Sequence, residues 1–325
     1  MVSGHSAANA ALELELAHAV ELPRALYFYA GYATNASIVP ALVGAGDAVF
    51  SDALNHACLI DGARLSKAAI HRYEHANLTE LAAQLSASTA KRKLILSDAV
   101  FSMDGDVCDV RGLLALCEQH DALLLLDDAH GFGILGPQGR GALAAAGLTG
   151  ANASRRVLYM ATLGKALGVA GAFVAGHTAL IEWLLQKTRS YTYATAAPAL
   201  LAEAIRTALR SMLGPDGDRR RTRLHALAAR LRDALTPGVC AALDTAGWRL
   251  QPSDTAIQAL IVGNNAAALA LMAGLQRRGF WVPAIRPPTV PAGTARLRIA
   301  LSAAHSVQDV DALVAAIVAE AATKR

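Results

Sequence analysis

An unbroken apolar run that ends in acid, Leu123-Leu124-Leu125-Leu126-Asp127-Asp128-Ala129-His130, constrains this chain most. A run without polar alternation is a strand covered on both faces, which is the signature of a sheet sandwiched between helices. The pattern recurs. Residues 26–30, 48–51, 69–73, 94–97, 157–160 and 172–175 are further short strands, and the spacing predicts helices over 34–43 and 110–119. Strands that alternate with helices predict an α/β fold with a mostly parallel central sheet. Ligands of such sheets bind beyond the carboxyl ends of the strands, so chemistry is sought there.

The chain has 325 residues, enough for about two domains at roughly 150 residues each. With 54% hydrophobic and 17% charged residues it can bury a large core, which excludes a disordered chain. Aromatics at 5% favour helices over an all-β fold. The character changes near residue 200. Helices are predicted over 199–212, 219–235, 266–278 and 307–322, and strands over 256–262, 280–284 and 296–301, with a turn at Gly214-Pro215-Asp216-Gly217. We therefore expect a large domain over 1–200 and a smaller α+β domain over 201–325.

A net charge of +4 is too even to imply a nucleic-acid or membrane-surface partner, and the run Arg219-Arg220-Arg221-Thr222-Arg223 reads as a solvated helix face. The apolar runs at 266–275 and 123–126 fall short of the ~18–20 residues of a membrane span. No basic segment followed by a leucine-rich one opens the chain, so no secretory signal is expected. Cys58, Cys108, Cys117 and Cys240 form no CxxC pair and are expected to be reduced thiols of a cytoplasmic protein.

Four segments carry candidate chemistry. Asp127 closes a buried strand, where a carboxylate is costly unless a cation, a metal or a protonated ligand nitrogen faces it. By itself Asp127-Asp128-Ala129-His130 fits a metal site or a structural salt bridge, and no second acidic cluster is evident at matching strand ends. Thr162-Leu163-Gly164-Lys165 follows another strand. A phosphate-binding Walker loop is excluded, because Tyr159 stands at its first glycine and Ala166 follows the lysine. Lys165 is then either a carbonyl nucleophile or a surface lysine. Gly31 and Tyr32 precede a helix whose free N–H groups could hold an anion or simply make a turn. His56, in Asn55-His56-Ala57-Cys58, is structural or catalytic. Together a phosphate cup, a histidine, a strand-end carboxylate and a lysine make the parts list of a pyridoxal 5'-phosphate (PLP) site.

With these residues in hand, the chain resembles the α-oxoamine synthases, fold type I PLP-dependent enzymes, from Val2-Ser3-Gly4-His5-Ser6 to the terminal helix. The resemblance is carried by Phe101-Ser102-Met103-Asp104-Gly105-Asp106, Asp127-Asp128-Ala129-His130-Gly131, Gly136-Pro137-Gln138-Gly139-Arg140-Gly141 and Thr162-Leu163-Gly164-Lys165. Residues 284–291 and 293–298 look most like the members that join L-alanine to a pimeloyl thioester.

The resemblance implies that Lys165 bonds the cofactor aldehyde and moves the substrate Cα proton. It implies that Asp127 faces the pyridine nitrogen and that His56 stacks on the ring. His130 and Ser102 match residues near the ring hydroxyl. The amides of Gly31 and Tyr32 match the phosphate cup, Thr162 adds a hydroxyl, and Thr195 matches a phosphate ligand supplied by the neighbouring subunit of a homodimer. Arg298 matches the arginine that holds the amino-acid carboxylate, and Thr289 matches a substrate contact. The implied partners are L-alanine and pimeloyl-CoA or pimeloyl-acyl carrier protein. The alternatives are a sister enzyme that uses glycine or serine, and a non-catalytic subunit.

The chain departs from the family pattern at its start. Met1 corresponds to a point inside the usual chain, so the family's first helix, first small strands and Asn-Asp-Tyr-Leu-Gly-like segment are expected to be missing. Asn9 stands where His is common, and Ala30 and Ala194 where Ser is common.

Overall fold

The computed structural model describes residues 4–236 and 238–323, so Val2 and Ser3 lie outside the described residues. The chain divides into two compact units, Met1–Phe101 with Cys108–Asp218, and Ser102–Val107 with Arg219–Arg325.

The first unit is built on a seven-stranded sheet of β1 (Arg24–Phe28), β2 (Ala48–Asp52), β3 (Ala69–Tyr73), β4 (Lys93–Asp98), β5 (Ala122–Asp127), β6 (Val157–Thr162) and β7 (Ala172–Gly176). Their order across the sheet is β1-β7-β6-β5-β4-β2-β3. Pairing is parallel from β6 to β3, and β7 runs antiparallel to both its neighbours. Helices α1 (Ala7–Ala19), α2 (Gly31–Leu42), α3 (Ala57–Ser66), α4 (Leu78–Ala87), α5 (Val110–His120), α6 (Ala142–Ala145), α7 (Thr178–Lys187), α8 (Arg189–Thr192) and α9 (Ala199–Leu213) complete it.

The apolar runs of the inner strands are unbroken because both their faces are covered, whereas the edge strand β3 has four of its five residues exposed. On one side Leu124 and Leu126 join Leu12 and Leu16 of α1, Leu113 and Cys117 of α5, and Ile205 and Leu209 of α9. On the other, Leu125 joins Ile38 and Val39 of α2, Leu59 of α3 and Ile181 of α7. Truncating one such leucine to alanine costs about 2–5 kcal/mol. Asn9 takes part in the start of α1: it is buried there, and its side chain and that of Ser6 cap each other's backbone N–H.

The sequence puts a boundary near residue 200, yet α9 belongs to the first unit. Ala202, Ile205 and Leu209 fill the core beside α1, and Arg206 pairs with Glu15 at 2.7 Å.

The second unit holds a four-stranded antiparallel sheet in the order β10-β11-β9-β8, from β8 (Arg249–Leu250), β9 (Ile257–Gly263), β10 (Ala284–Ile285) and β11 (Ala295–Ala300). Its helices are residues 219–235 of α10 (Pro215–Leu235), α11 (Ala241–Ala246), α12 (Asn265–Arg277) and α13 (Val307–Ala322). Two expectations shift. The segment expected to be a turn at 214–217 already starts α10, with Pro215 as its first residue, where its missing N–H costs nothing. The strand expected over 280–284 is reduced to Ala284–Ile285, since Pro283 has no N–H to continue the ladder. No helix of the described residues is long and apolar enough to cross a membrane.

Candidate active site

The site is assembled at the carboxyl ends of β4, β5 and β6. Parallel pairing in register sets Asp98 directly beside Asp127. Two buried carboxylates at that spacing cannot both ionise cheaply. Their hydrogen bonds sort them. Asp127 accepts from the Asn35 Nδ2 at 2.6 Å and the Ala129 N–H at 3.0 Å, with the Cys58 thiol at 3.8 Å. Asp98 accepts the His56 N–H at 3.1 Å through one oxygen, while its Oδ1 is buried without a hydrogen bond. Burial, and then the Asp127 charge, push the Asp98 carboxyl well above the usual carboxylate range. Burial also raises Asp127, but the Lys165 charge, the Ala129 N–H, His56 and Asn35 pull it back. The two carboxyls therefore titrate as a pair, and burial raises both, Asp98 well above the usual range because fewer donors face it.

Around Asp127 the structure assembles most of the expected residues. His56 is the N-cap of α3, with its Nδ1 accepting the Cys58 N–H and lying 2.9 Å from the Cys58 sulfur, while the residue itself stays exposed. Burial pushes the Cys58 thiol up to about 12, so the sulfur keeps its proton. Lys165 sits exposed in the loop after β6, and its charge acts on both Asp127 and Asp98. His130 lies half-buried in the turn after β5.

α2 opens at Gly31 behind Ala30, which offers no side-chain cap, so the N–H groups of its first turn are left for an anion. A Cβ on Gly31 would come within 2.6 Å of the Thr162 Cγ2, which shows how closely the two residues approach. The Tyr32 hydroxyl is drawn away to Asp61, leaving only the backbone of Tyr32 at the helix start.

Asp128 is no part of this constellation. Successive strand-end residues face opposite ways. The Asp128 Oδ2 accepts the Ala142 N–H and the Tyr159 hydroxyl, each at 2.7 Å, in a fully buried position. Burial pushes its carboxyl up to about 7. The metal reading of Asp127-Asp128-Ala129-His130 fails on this geometry, and among the described residues no group of three or more His, Cys, Asp or Glu is placed to hold a metal. The sequence reading of an isolated strand-end acid is also corrected, since Asp98 is its match on β4.

Ser102, Thr289 and Arg298 belong to the second unit. Arg298 lies on β11, and its Nε donates to the Ser102 carbonyl. Burial draws its guanidinium below the ordinary arginine range, although such a group still keeps its proton. Thr289 is exposed in the loop between β10 and β11. Thr195 is not gathered with the residues around Asp127. It is exposed beyond α8 and lines a cavity of about 260 Å³ with His5, Asn9, Glu13 and Tyr29.

Asn35 and Asp98 escaped the sequence reading. Leu94-Ile95-Leu96-Ser97-Asp98 shows the same apolar-run-then-acid pattern as β5, and it could have exposed Asp98. Asn35 gave a weaker signal, a polar residue one turn after Gly31 that is buried beside Thr34 on a helix whose other buried residues are apolar.

These residues fit PLP. Asp127 is a buried carboxyl suited to face a protonated nitrogen, the uncapped start of α2 beside Thr162 suits a phosphate, and Lys165 is the amine within electrostatic reach of that acid.

Comparison with known proteins agrees. The family model for aminotransferase class I and II matches residues 2–317. A relative from Delftia acidovorans described as 8-amino-7-oxononanoate synthase is 71% identical over 98% of this chain and 77% of its own length. A solved structure of SPT with PLP superimposes with a TM-score of 0.89 at 28% identity, covering 100% of this chain and 79% of that one. A crystal structure of 8-amino-7-oxononanoate synthase from Francisella tularensis gives a TM-score of 0.82 at 27% identity, covering 99% and 89%.

Proposed function

Since the chain belongs to the class I and II aminotransferase family and, within it, to the PLP-dependent 8-amino-7-oxononanoate synthases of biotin biosynthesis, we propose that it condenses L-alanine with a pimeloyl thioester. The thioester is carried on coenzyme A or acyl carrier protein, and the products are 8-amino-7-oxononanoate, carbon dioxide and the free thiol. The observation that carries this reading is the buried Asp127 carboxyl, which accepts from Asn35 and the Ala129 N–H and on which the Lys165 charge acts.

PLP, when bound, supplies an electron sink for a carbanion at the amino-acid Cα. Asp127 would face the ring nitrogen and favour its protonated form, and Asn35 holds Asp127 in place by its hydrogen bond. Gly31, Tyr32 and Thr162 would hold the phosphate, His56 would lie against the ring, and His130 and Ser102 would contact its substituents. The Lys165 Nζ is the base that removes the Cα proton, and it returns a proton after decarboxylation. Arg298 binds the alanine carboxylate with its guanidinium fork, and Thr289 contacts the substrate. A second copy completes the phosphate shell through Thr195. Its neighbours Tyr193 and Leu200 are 75% and 79% exposed, which suits a surface that another copy covers.

The test is a visible absorbance spectrum of the purified chain with PLP, before and after L-alanine, for wild type and Lys165→Ala. A band that needs Lys165 and moves with L-alanine is the expected result, followed by thiol release with pimeloyl-CoA. Glycine and L-serine in place of L-alanine distinguish the sister reactions. A wild-type spectrum no different from that of free PLP would overturn the reading.

A further inference from the structure

β11 presents two arginines, Arg296 and Arg298, two residues apart and therefore on one face of the strand. Their surroundings differ. Every nitrogen of the Arg296 guanidinium is engaged: Nε with the Thr294 carbonyl at 3.0 Å, Nη2 with the Thr294 hydroxyl at 3.0 Å, and Nη1 in an ion pair with Asp104. Arg296 is almost wholly buried. Arg298 has only its Nε engaged, by the Ser102 carbonyl, and no hydrogen bond to a described residue is recorded for its two Nη groups.

Both acceptors come from the same place, the segment Ser102–Val107, which clusters with the second unit although it lies far upstream in sequence. The segment is fixed at a third point. The Gly105 carbonyl accepts from the Ser253 hydroxyl at 2.9 Å and the Thr255 hydroxyl at 3.1 Å, both buried. Gly105 has φ +82, and a Cβ there would stand 2.3 Å from the Ile257 carbonyl, so only glycine follows this path.

We propose that Ser102–Val107 is a positioning strap for Arg298, tied down by Asp104 on Arg296 and by the Gly105 carbonyl on Ser253 and Thr255, and that it sets the affinity for the carboxylate of the amino-acid substrate. The proposal rests on the reading of Arg298 as the carboxylate receptor. An arginine side chain is long and loses much freedom when held. With Nε already bonded to a fixed carbonyl, the remaining fork is presented in one orientation, and a carboxylate meets it without having to order it first. Asp104 and Gly105 act through Arg298 and touch no substrate, so they are positioning residues.

The experiment is an absorbance titration of PLP-saturated enzyme with L-alanine and, separately, with ethylamine, which is alanine without its carboxylate. Asp104→Asn is expected to weaken L-alanine about 3- to 10-fold, the effect of releasing one ordered side chain, and to leave ethylamine within about twofold. Asp104→Glu is expected to recover part of the loss. Ser253→Ala combined with Thr255→Val reaches the same end from the other anchor and serves if Asp104→Asn does not fold. Equal weakening of both amines would mean a general structural role and would overturn the strap, as would unchanged affinity for L-alanine. Arg298→Lys separates the two readings. If it leaves L-alanine binding unchanged, the carboxylate reading of Arg298 is the one that fails. If it weakens L-alanine while the strap variants do not, only the strap fails.

Discussion

The end of β5 in the first unit and the middle of β11 in the second solve one problem with opposite charges. Each sets two ionisable residues of one kind close together, and each commits one of them to structure. At β5, one oxygen of Asp128 accepts from the Ala142 N–H and the Tyr159 hydroxyl, while Asp127 turns to Asn35 and the Ala129 N–H. At β11, Arg296 is closed by Thr294 and Asp104, while Arg298 keeps its fork. The means differ. Adjacent strand residues face opposite sides, so the acids are separated by the pleat itself. The arginines share a face and have to be told apart by their acceptors. In each pair the structural member is thus tied to groups of its own unit, Asp128 through one oxygen and Arg296 through its whole guanidinium.

The comparison breaks most visibly at Asp127. Asp127→Asn is expected to lower kcat/KM for the condensation about 10²- to 10³-fold, the scale of losing one preorganised electrostatic partner, with thermal unfolding no earlier than in wild type. A loss below tenfold would remove Asp127 from the ring nitrogen.

Its neighbour should behave the other way. Asp128→Ala leaves the buried Tyr159 hydroxyl and Ala142 N–H unpaired and is expected to cost about 2–4 kcal/mol of stability, read by chemical denaturation. Asp128→Asn keeps an acceptor and removes the titration. Because burial lifts this carboxyl to about 7, the folded chain holds a proton there that the unfolded chain releases near pH 4. Its stabilising contribution is complete below about pH 4 and is lost as pH rises towards 7. The stability of Asp128→Asn relative to wild type should therefore climb between pH 4 and 7, and a flat difference would mean an ordinary carboxyl.

Arg298→Lys, which loses the two-pronged contact but keeps the charge, is expected to raise the KM for L-alanine about tenfold with little change in the KM for the thioester. An unchanged KM for L-alanine would make β11 structural at both arginines. The smallest effect is expected at Tyr159→Phe. It removes one hydrogen bond to Asp128, costs about 1 kcal/mol in unfolding measurements and leaves kcat as it was. A large drop in kcat there would erase the division between Asp127 and Asp128.

How much of this was legible depends on how far each feature reaches along the chain. β3 and α13 were read to the residue, because apolar period and caps are local. Asp127 and Lys165 stood out at strand ends, but each alone left a structural reading open, and only their combination with His56 and Gly31 pointed to a cofactor. Asp98 was not, since its importance comes from the register between β4 and β5, and register is set by packing rather than by either segment. Asn35 was hidden for the same reason, lying on a helix that contacts Asp127 from across the fold. The strap was the least legible, because Asp104 and Arg296 are joined only by tertiary structure.

Gly31 and Thr162 are separated by most of the first unit in sequence, yet a single methyl group couples what each can become. Alanine at 31 collides with the Thr162 Cγ2, and serine at 162 removes that atom while keeping the hydroxyl. A lineage that changes both must shorten 162 first, because the opposite order passes through an intermediate in which the start of α2 is crowded. The two positions are thus inherited as a pair with a direction, and a mutational library drawn across them should return the double change without the single change at 31.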